Sequence, residues 1–311
     1  MRELLNTEET VRFCKALSSP LRVEMLQYIL AHEETSPNDL AEAFGVSRAA
    51  VTQNLRLLTE AGLVSLCSYN SRASQKKTCF LRDNKFVITL GERFGADTVY
   101  QAEIPIGQYT DYRVFPTCGI ATPEFLIGKL DDPRYFDSPQ RTEAGILWLM
   151  KGYVEYRLPN YLKENQRPTE LQISLELSSE APGVSSNWPS DISFWLNDIL
   201  LCSWTSPGDF GEKRGIFAPD WWSSGWNQYG LLKLLTVSGE GTFMDGRKMS
   251  GLTIHDLSLS YKSEMRFRIG VPDTAKNIGG MTIFGKGFGN YDQNIRMRLI
   301  FETLPEMQEP D

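Results

Sequence analysis

Arg48, Ala49, Thr52, Gln53 and Arg56 fall at spacings that place them on one side of a helix starting at the cap Ser47. Guanidinium, amide, hydroxyl and methyl groups in that pattern can meet phosphate oxygens and the donor and acceptor edges of bases. Arg72, Lys76 and Lys77 follow in the polar run SYNSRASQKK, where cations would hold phosphates without reading sequence. Between residues 45 and 82 six Lys and Arg face one acid, Glu60. A merely solvated helix face mixes its signs.

A second constellation lies in WTSPGDFGEKRGIFAPDWWSSGWNQYG. It holds Trp204, Asp209, Arg214, Asp220, Trp221, Trp222, Trp226, Asn227 and Tyr229. Indole faces stack on the C–H faces of a sugar, while Asp, Asn and Arg exchange hydrogen bonds with its hydroxyls. TFMDGRKMSG adds Asp245, Arg247 and Lys248, and GKGFGNYDQN adds Lys286, Phe288, Asn290, Tyr291 and Asp292. The same tryptophans would also serve as an anchor between domains or protomers. Trp195 and Trp204, on strand-like runs, are expected in the core.

Catalytic signatures are weaker. Asp209, Glu212, Asp220 and Asp245 could supply a glycosidase pair, yet nothing fixes two of them across a defined site. G-x-S-x-G and the phosphate-loop pattern are absent from the sequence. His255 and Asp256 are adjacent in LTIHDLSL, and on a strand they would face opposite ways. With His32 and His255 as the chain's two histidines, no histidine-rich metal centre is expected, and no cofactor. Cys14, Cys67, Cys79, Cys118 and Cys202 are scattered and odd in number, which suits reduced thiols. Cys67 and Cys79 would face each other across a hairpin turning at residue 73, offering a redox pair, although half-buried strands also use cysteine as a small hydrophobe.

The elements that would position the first constellation are helical. Val11, Cys14, Leu17, Leu21, Met25 and Ile29 recur at helical spacing, and Ser19-Pro20 between them is a start signal. Ser36 caps a short helix carrying Leu40, Ala41 and Phe44, Gly45 supplies the turn, and Val51, Leu55 and Leu58 form the inner stripe of the next helix. This is a helix-turn-helix pattern, and GLVSLCS with QKKTCFLR reads as a two-stranded wing.

Residues 12–82 resemble the ArsR-type winged-helix transcription regulators, through CKALSSPLRVEMLQYI and SRAAVTQNLRLLTEAGLV. The resemblance implies DNA binding, a homodimer and a palindromic double-stranded operator. Metal-sensing members carry cysteines on the helix before the turn; SPNDLAEAFG has none, so a metal-responsive repressor is not expected.

Beyond residue 93 alternation replaces helical spacing. Leu171, Ile173, Leu175 and Leu177 share one face, as do Ile295, Met297, Leu299 and Phe301. SFWLNDILLCSW reads as a hairpin turning at Asn197-Asp198. A short helix is expected near 122–130, and roughly eight to ten strands imply a sandwich or jelly roll. The region 195–291 resembles carbohydrate-binding modules of jelly-roll type.

Charge divides the chain in the same way. The 311 residues carry a net −7, but residues 1–95 hold 12 basic against 11 acidic side chains and the remainder carries −8. The expected fold is α+β multidomain, with a winged helix-turn-helix over 1–95 and an all-β sandwich over 96–311. No run of about 18 apolar residues suits a membrane helix, and MRELLNTEET does not suit a signal peptide. The expectation is a cytoplasmic, non-enzymatic repressor. DNA contacts come from Ser47, Arg48, Ala49, Thr52, Gln53, Arg56, Arg72, Lys76 and Lys77. A small organic effector, such as a saccharide, meets Asp209, Arg214, Asp220, Trp221, Trp222, Trp226, Asn227, Tyr229, Asn290 and Tyr291. The alternatives are a β domain for dimerisation alone, or a carbohydrate-active enzyme fused to a DNA reader.

Overall fold

The computed structural model describes residues 2–4, 7–32, 35–71, 74–82, 86–88 and 98–305. It divides into two compact units, Met1–Arg93 and Phe94–Asp311.

The first unit contains α1 (Thr7–Leu17), α2 (Pro20–Ala31), α3 (Pro37–Phe44) and α4 (Arg48–Glu60), with strands β1 (Arg2–Leu4), β2 (Val64–Ser71), β3 (Ser74–Leu81) and β4 (Phe86–Ile88). Pro20 opens α2, where its missing N–H costs nothing. Ser36 and Asp39 form a reciprocal capping box at α3, and Gly45 ends that helix with φ 62°. Leu40, Val51, Leu55 and Leu58 meet Met25 and Ile29 in one core. On α1 the buried residues are Phe13 and Ala16, whereas Val11 is 44% exposed and Cys14 is exposed. This corrects the expected Val11–Cys14 stripe. The Phe13 ring packs on Phe86 at 4.6 Å, and the larger aromatic area decides which face turns inward.

β2 and β3 form the wing hairpin, with Cys67 opposite Thr78 and Leu66 opposite Cys79. Ser71 pairs with Ser74, so the turn is centred half a residue earlier than expected and the two cysteines are not register partners.

Among the described residues, the second unit is built on twelve antiparallel strands. They are β5 (Val99–Ile104), β6 (Asp111–Ala121), β7 (Ile146–Leu158), β8 (Gln166–Ser178), β9 (Ser190–Leu196), β10 (Ile199–Ser206), β11 (Leu231–Ser238), β12 (Gly241–Met244), β13 (Arg247–Ser250), β14 (Met265–Val271), β15 (Met281–Phe284) and β16 (Ile295–Thr303). β6, β7, β14, β9 and β10 make one layer, and β5, β16, β8, β11, β12 and β13 the other. β15 joins them, pairing with the first half of β7 and the last residues of β8. Phe194, Phe267, Ile269 and Val154 from one layer meet Leu171, Ile173, Leu175 and Leu299 from the other. The fold is therefore α+β multidomain, a winged helix-turn-helix followed by an all-β sandwich.

Asn197 and Asp198 turn the β9–β10 hairpin with φ 50° and 66°, the left-handed pair that such a turn requires. Other expectations are corrected. Residues 122–130 form no helix: the Thr122 hydroxyl accepts from the Glu124 and Phe125 amides, and short 3-10 turns follow at Pro133–Asp137 and Pro139–Glu143. His255 and Asp256 sit on a 3-10 turn, where Asp256 caps the Thr253 amide. Trp195 is half-buried outside the core, because Ile192, Phe194 and Leu196 take the inner face of β9. The strand count exceeds expectation partly because β6 contains Pro116 beside a bulge, which an edge strand tolerates.

Candidate functional site

In the first unit the geometry is set by α4. Val51, Leu55 and Leu58 are buried, leaving Ser47, Arg48, Ala49, Thr52, Gln53 and Arg56 exposed. The Ser47 hydroxyl accepts from the Ala50 amide at 3.1 Å, fixing the start of the helix. The Thr52 hydroxyl donates to the Arg48 carbonyl at 2.9 Å. Arg56 lies 3.5 Å from Glu60 with both side chains open to solvent, a pair worth little in water and easily exchanged for a phosphate. Arg22 donates to the Asn54 side-chain Oδ1 at 3.4 Å and to the Lys15 backbone carbonyl at 2.9 Å, tying α4 to α1 and α2. The wing is held by the Cys79 amide, which donates to Thr35. Lys77 is exposed on β3. Arg72 lies outside the described residues, and Lys76 is described by its backbone alone.

In the second unit the outer face near β15 carries a cavity of about 270 Å³. Alternation makes its floor: Leu147, Leu149, Met281 and Ile283 join the main core, so Ile146, Trp148, Thr282 and Phe284 face the other way. The 207–230 loop supplies a wall. Trp222 packs edge-to-face on Trp148 at 5.8 Å and on Trp226 at 4.7 Å, the arrangement that ring quadrupoles favour. Trp222 donates its indole N–H to the Asn227 carbonyl at 2.8 Å. Trp226 is the half-buried ring of this wall.

The polar side of the cavity is a directed chain. Asn227 Nδ2 donates to Thr282 Oγ1 at 3.1 Å, and Thr282 donates to Glu180 Oε2 at 2.7 Å. Burial pushes the Glu180 carboxyl up to about 8, the neighbouring Asp209 charge adding to the shift against the Thr282 hydrogen bond. Asp209 is itself pushed up to about 7 by burial, opposed by the Ala181 amide. Asp131 completes the lining and accepts from the Cys118 amide at 3.0 Å. Asn227 Oδ1 and Thr117 Oγ1, also of lining residues, make no hydrogen bond among the described residues.

Of the ligand residues expected from sequence, Trp222, Trp226 and Asn227 line this cavity together. The others lie outside its lining. Asp209 is buried behind it, Arg214 pairs with Asp220 at 2.9 Å in solvent, and Trp221 donates to the Pro123 carbonyl. Tyr229 stacks on Phe210 at 5.4 Å. Asn290 accepts from the Ile216 amide, and the Asn290 and Tyr291 amides donate to the buried Glu176. In the TFMDGRKMSG loop Asp245 pairs with Lys233 and Lys248 donates to the Glu240 carbonyl.

Residues 17–67 match a family described as a helix-turn-helix domain. The N-terminal unit carries a helix-turn-helix domain. A stretch of 58 residues is 40% identical to a "Probable mercury resistance operon repressor" of Streptomyces lividans, covering 19% of this chain and 46% of that protein. The chain thus spans about half the length of the curated relative it matches. Among solved structures, the C-terminal CBM6 of LamC from Zobellia galactanivorans aligns with 65% of this chain and 98% of its own, at 11% identity and a TM-score of 0.27.

In the helix-turn-helix domain, α3 is the first helix of the motif and α4 the second, which puts the exposed face of α4 where such domains meet DNA. Sequence reasoning missed Trp148, Thr282, Glu180 and Asp131 in the cavity. Thr282 carried a signal, since it interrupts the apolar run 281–284, whereas Trp148 lies inside the apolar run 146–150 and carried none. Glu180 and Asp131 lie on loops brought together only by the β15 crossing.

Proposed function

We propose that the chain is a transcriptional repressor whose α4 face binds operator DNA and whose β domain binds a small organic effector. The domains are 1–95 and 96–311. Ser47, Arg48, Ala49, Thr52, Gln53 and Arg56 contact the major groove, and Arg72, Lys76 and Lys77 hold phosphates beside it. The observation that carries this reading is the exposed cationic and amide face of α4 on the matched motif, backed by a buried aliphatic stripe. The protein acts as a homodimer on a palindromic site, a reading supported by the uncovered Val11 and Cys14 of α1. It works in the cytoplasm and catalyses no reaction; among the described residues no helix is long and apolar enough to cross a membrane.

The effector is a saccharide seated on Trp148, Trp222 and Trp226, with Asn227, Thr282 and Glu180 meeting its hydroxyls. A cavity of about 270 Å³ is close to the size of small-ligand sites. Effector binding changes DNA affinity because it favours one arrangement of the two reading heads, and a ligand shifts such an equilibrium only through differential affinity.

The test is titration of a protein–DNA complex, on a duplex selected by the protein from a random library, with neutral and charged monosaccharides. A saccharide should change DNA affinity in the wild type and leave Trp226→Ala unmoved. A response that survives Trp226→Ala contradicts the cavity. Silence towards every sugar leaves the β domain as a dimerisation module.

A further inference from the structure

We propose that the cavity selects a cationic ligand, an amine-bearing saccharide over a neutral or anionic one, with the ammonium held between Glu180 and Asp131 against the ring of Trp226. This rests on the reading of the cavity as a saccharide site and narrows its substrate class.

The lining contributes two carboxyl side chains, Glu180 and Asp131, and no Lys, Arg or His among the described residues. Three indoles complete it, Trp148, Trp222 and Trp226, and an indole face attracts an ammonium group through its quadrupole. An anionic sugar would meet like charge and no basic partner. A neutral sugar offers the two carboxyls hydroxyl groups but no opposite charge.

Both carboxyls are fixed in place. Asp131 holds a left-handed backbone, φ 61°, through a reciprocal pair in which its amide donates to the Cys118 carbonyl at 2.9 Å and its Oδ1 accepts from the Cys118 amide at 3.0 Å. Glu180 is held by the Thr282 hydroxyl at 2.7 Å. The groups that face Glu180 are Thr282, Asn227, Asp209 and Asp131, the two aspartates acting on it through their charges. Lys129 and the Asp132–Arg134 pair belong to the loop of Asp131 but stand outside the lining. The site therefore sets a half-buried Glu180, which keeps its proton near neutral pH, beside the exposed carboxyl of Asp131. A bound ammonium favours the carboxylate, so Glu180 gives its proton to buffer as the cation enters.

The experiment is isothermal titration of the full-length protein with choline chloride, D-glucosamine, D-glucose and D-glucose 6-phosphate, each in two buffers of different ionisation enthalpy. Glucosamine should bind at least about fivefold tighter than glucose, and glucose 6-phosphate more weakly than either. Choline carries a permanent charge, so its affinity should rise more than about tenfold between pH 6 and pH 9, with buffer-dependent heat from the released proton. Glu180→Gln should abolish the pH slope and bring the affinity for glucosamine down to that for glucose. If Glu180→Gln fails to fold, Asp131→Asn tests the amine preference by itself and should lower the affinity for glucosamine towards that for glucose while the pH slope from Glu180 persists. Equal affinity for glucose and glucosamine, both lost in Trp226→Ala, overturns the cation preference and leaves the saccharide site standing. Choline binding without either sugar overturns the saccharide reading and keeps the cation site. Absence of binding by all four probes overturns both.

Discussion

Trp148 stands directly opposite Thr282 across β7 and β15, so the apolar floor and the polar chain of the cavity are two halves of one cross-strand pair. Gly119, on β6, is the register partner of Trp148 on the other side. This row has a small residue, an indole and a hydroxyl in sequence, which gives the indole room to lie over β6 and puts the hydroxyl within reach of Glu180.

Gly119→Ala should disturb that row. A methyl group at Gly119 would lie 2.2 Å from the Trp148 ring, so the indole must move. The expected outcome is a loss of about 1–3 kcal/mol in denaturant unfolding, with a changed near-ultraviolet circular dichroism signal and weaker binding of any ligand of the cavity. An unchanged spectrum with unchanged stability would show that the ring is not constrained by β6.

Glu176 anchors two loops rather than a ligand. It is fully buried and accepts from the Gly230, Asn290 and Tyr291 amides at 2.8, 2.9 and 3.0 Å. Glu176→Ala should cost more than about 3 kcal/mol, because it strands several buried N–H donors at once. Urea titration of wild type and variant checks this, with a smaller loss expected for Glu176→Gln, which keeps one acceptor oxygen.

Stability should fall as the solution becomes alkaline. Burial pushes Glu176 up to about 8 and Asp209 up to about 7, so the folded chain retains protons that the unfolded chain has already released. Their contribution is complete below the ordinary carboxylate range and is lost as pH rises through 7 to 8. The melting temperature of the β domain should drop by roughly 5 °C or more between weakly acidic and weakly alkaline buffer. Asp209→Asn should flatten part of that drop.

Cys79 is buried, and its thiol is pushed up to about 11 by burial first and by the Asp39 charge second. Thiolate is the reactive form, so native protein treated with a thiol reagent should leave Cys79 unmodified until urea is added. Since Cys79 faces Leu66 in register, mild oxidation should form no Cys67–Cys79 bridge. Mass spectrometry after alkylation reads both results.

Local chemistry made the N-terminal motif legible. Ser36, Gly45 and Ser47 announce a short helix, a turn and a second helix, and each does what its side chain or backbone allows. Alternation likewise exposed the sandwich core through Leu171, Ile173, Leu175 and Leu177. The cavity was only half legible, because aromatic residues on a loop advertise a site while the groups that complete it come from distant strands. Trp148 and Thr282 are 134 residues apart in sequence and adjacent in register. Val11 misled for a related reason: periodicity identifies an apolar face but cannot say that Phe13 has Phe86 waiting for it.

The most direct test of the regulator reading is fluorescence anisotropy of a labelled duplex with wild type, Arg48→Ala and Arg56→Ala across a series of salt concentrations. The wild type should bind tightly and with strong salt dependence, and the slope should become shallower by about one for each arginine removed that held a phosphate. An arginine that reads a base should instead relax sequence preference at one position. Binding by both variants with wild-type affinity and slope would contradict α4 as the DNA-contacting surface.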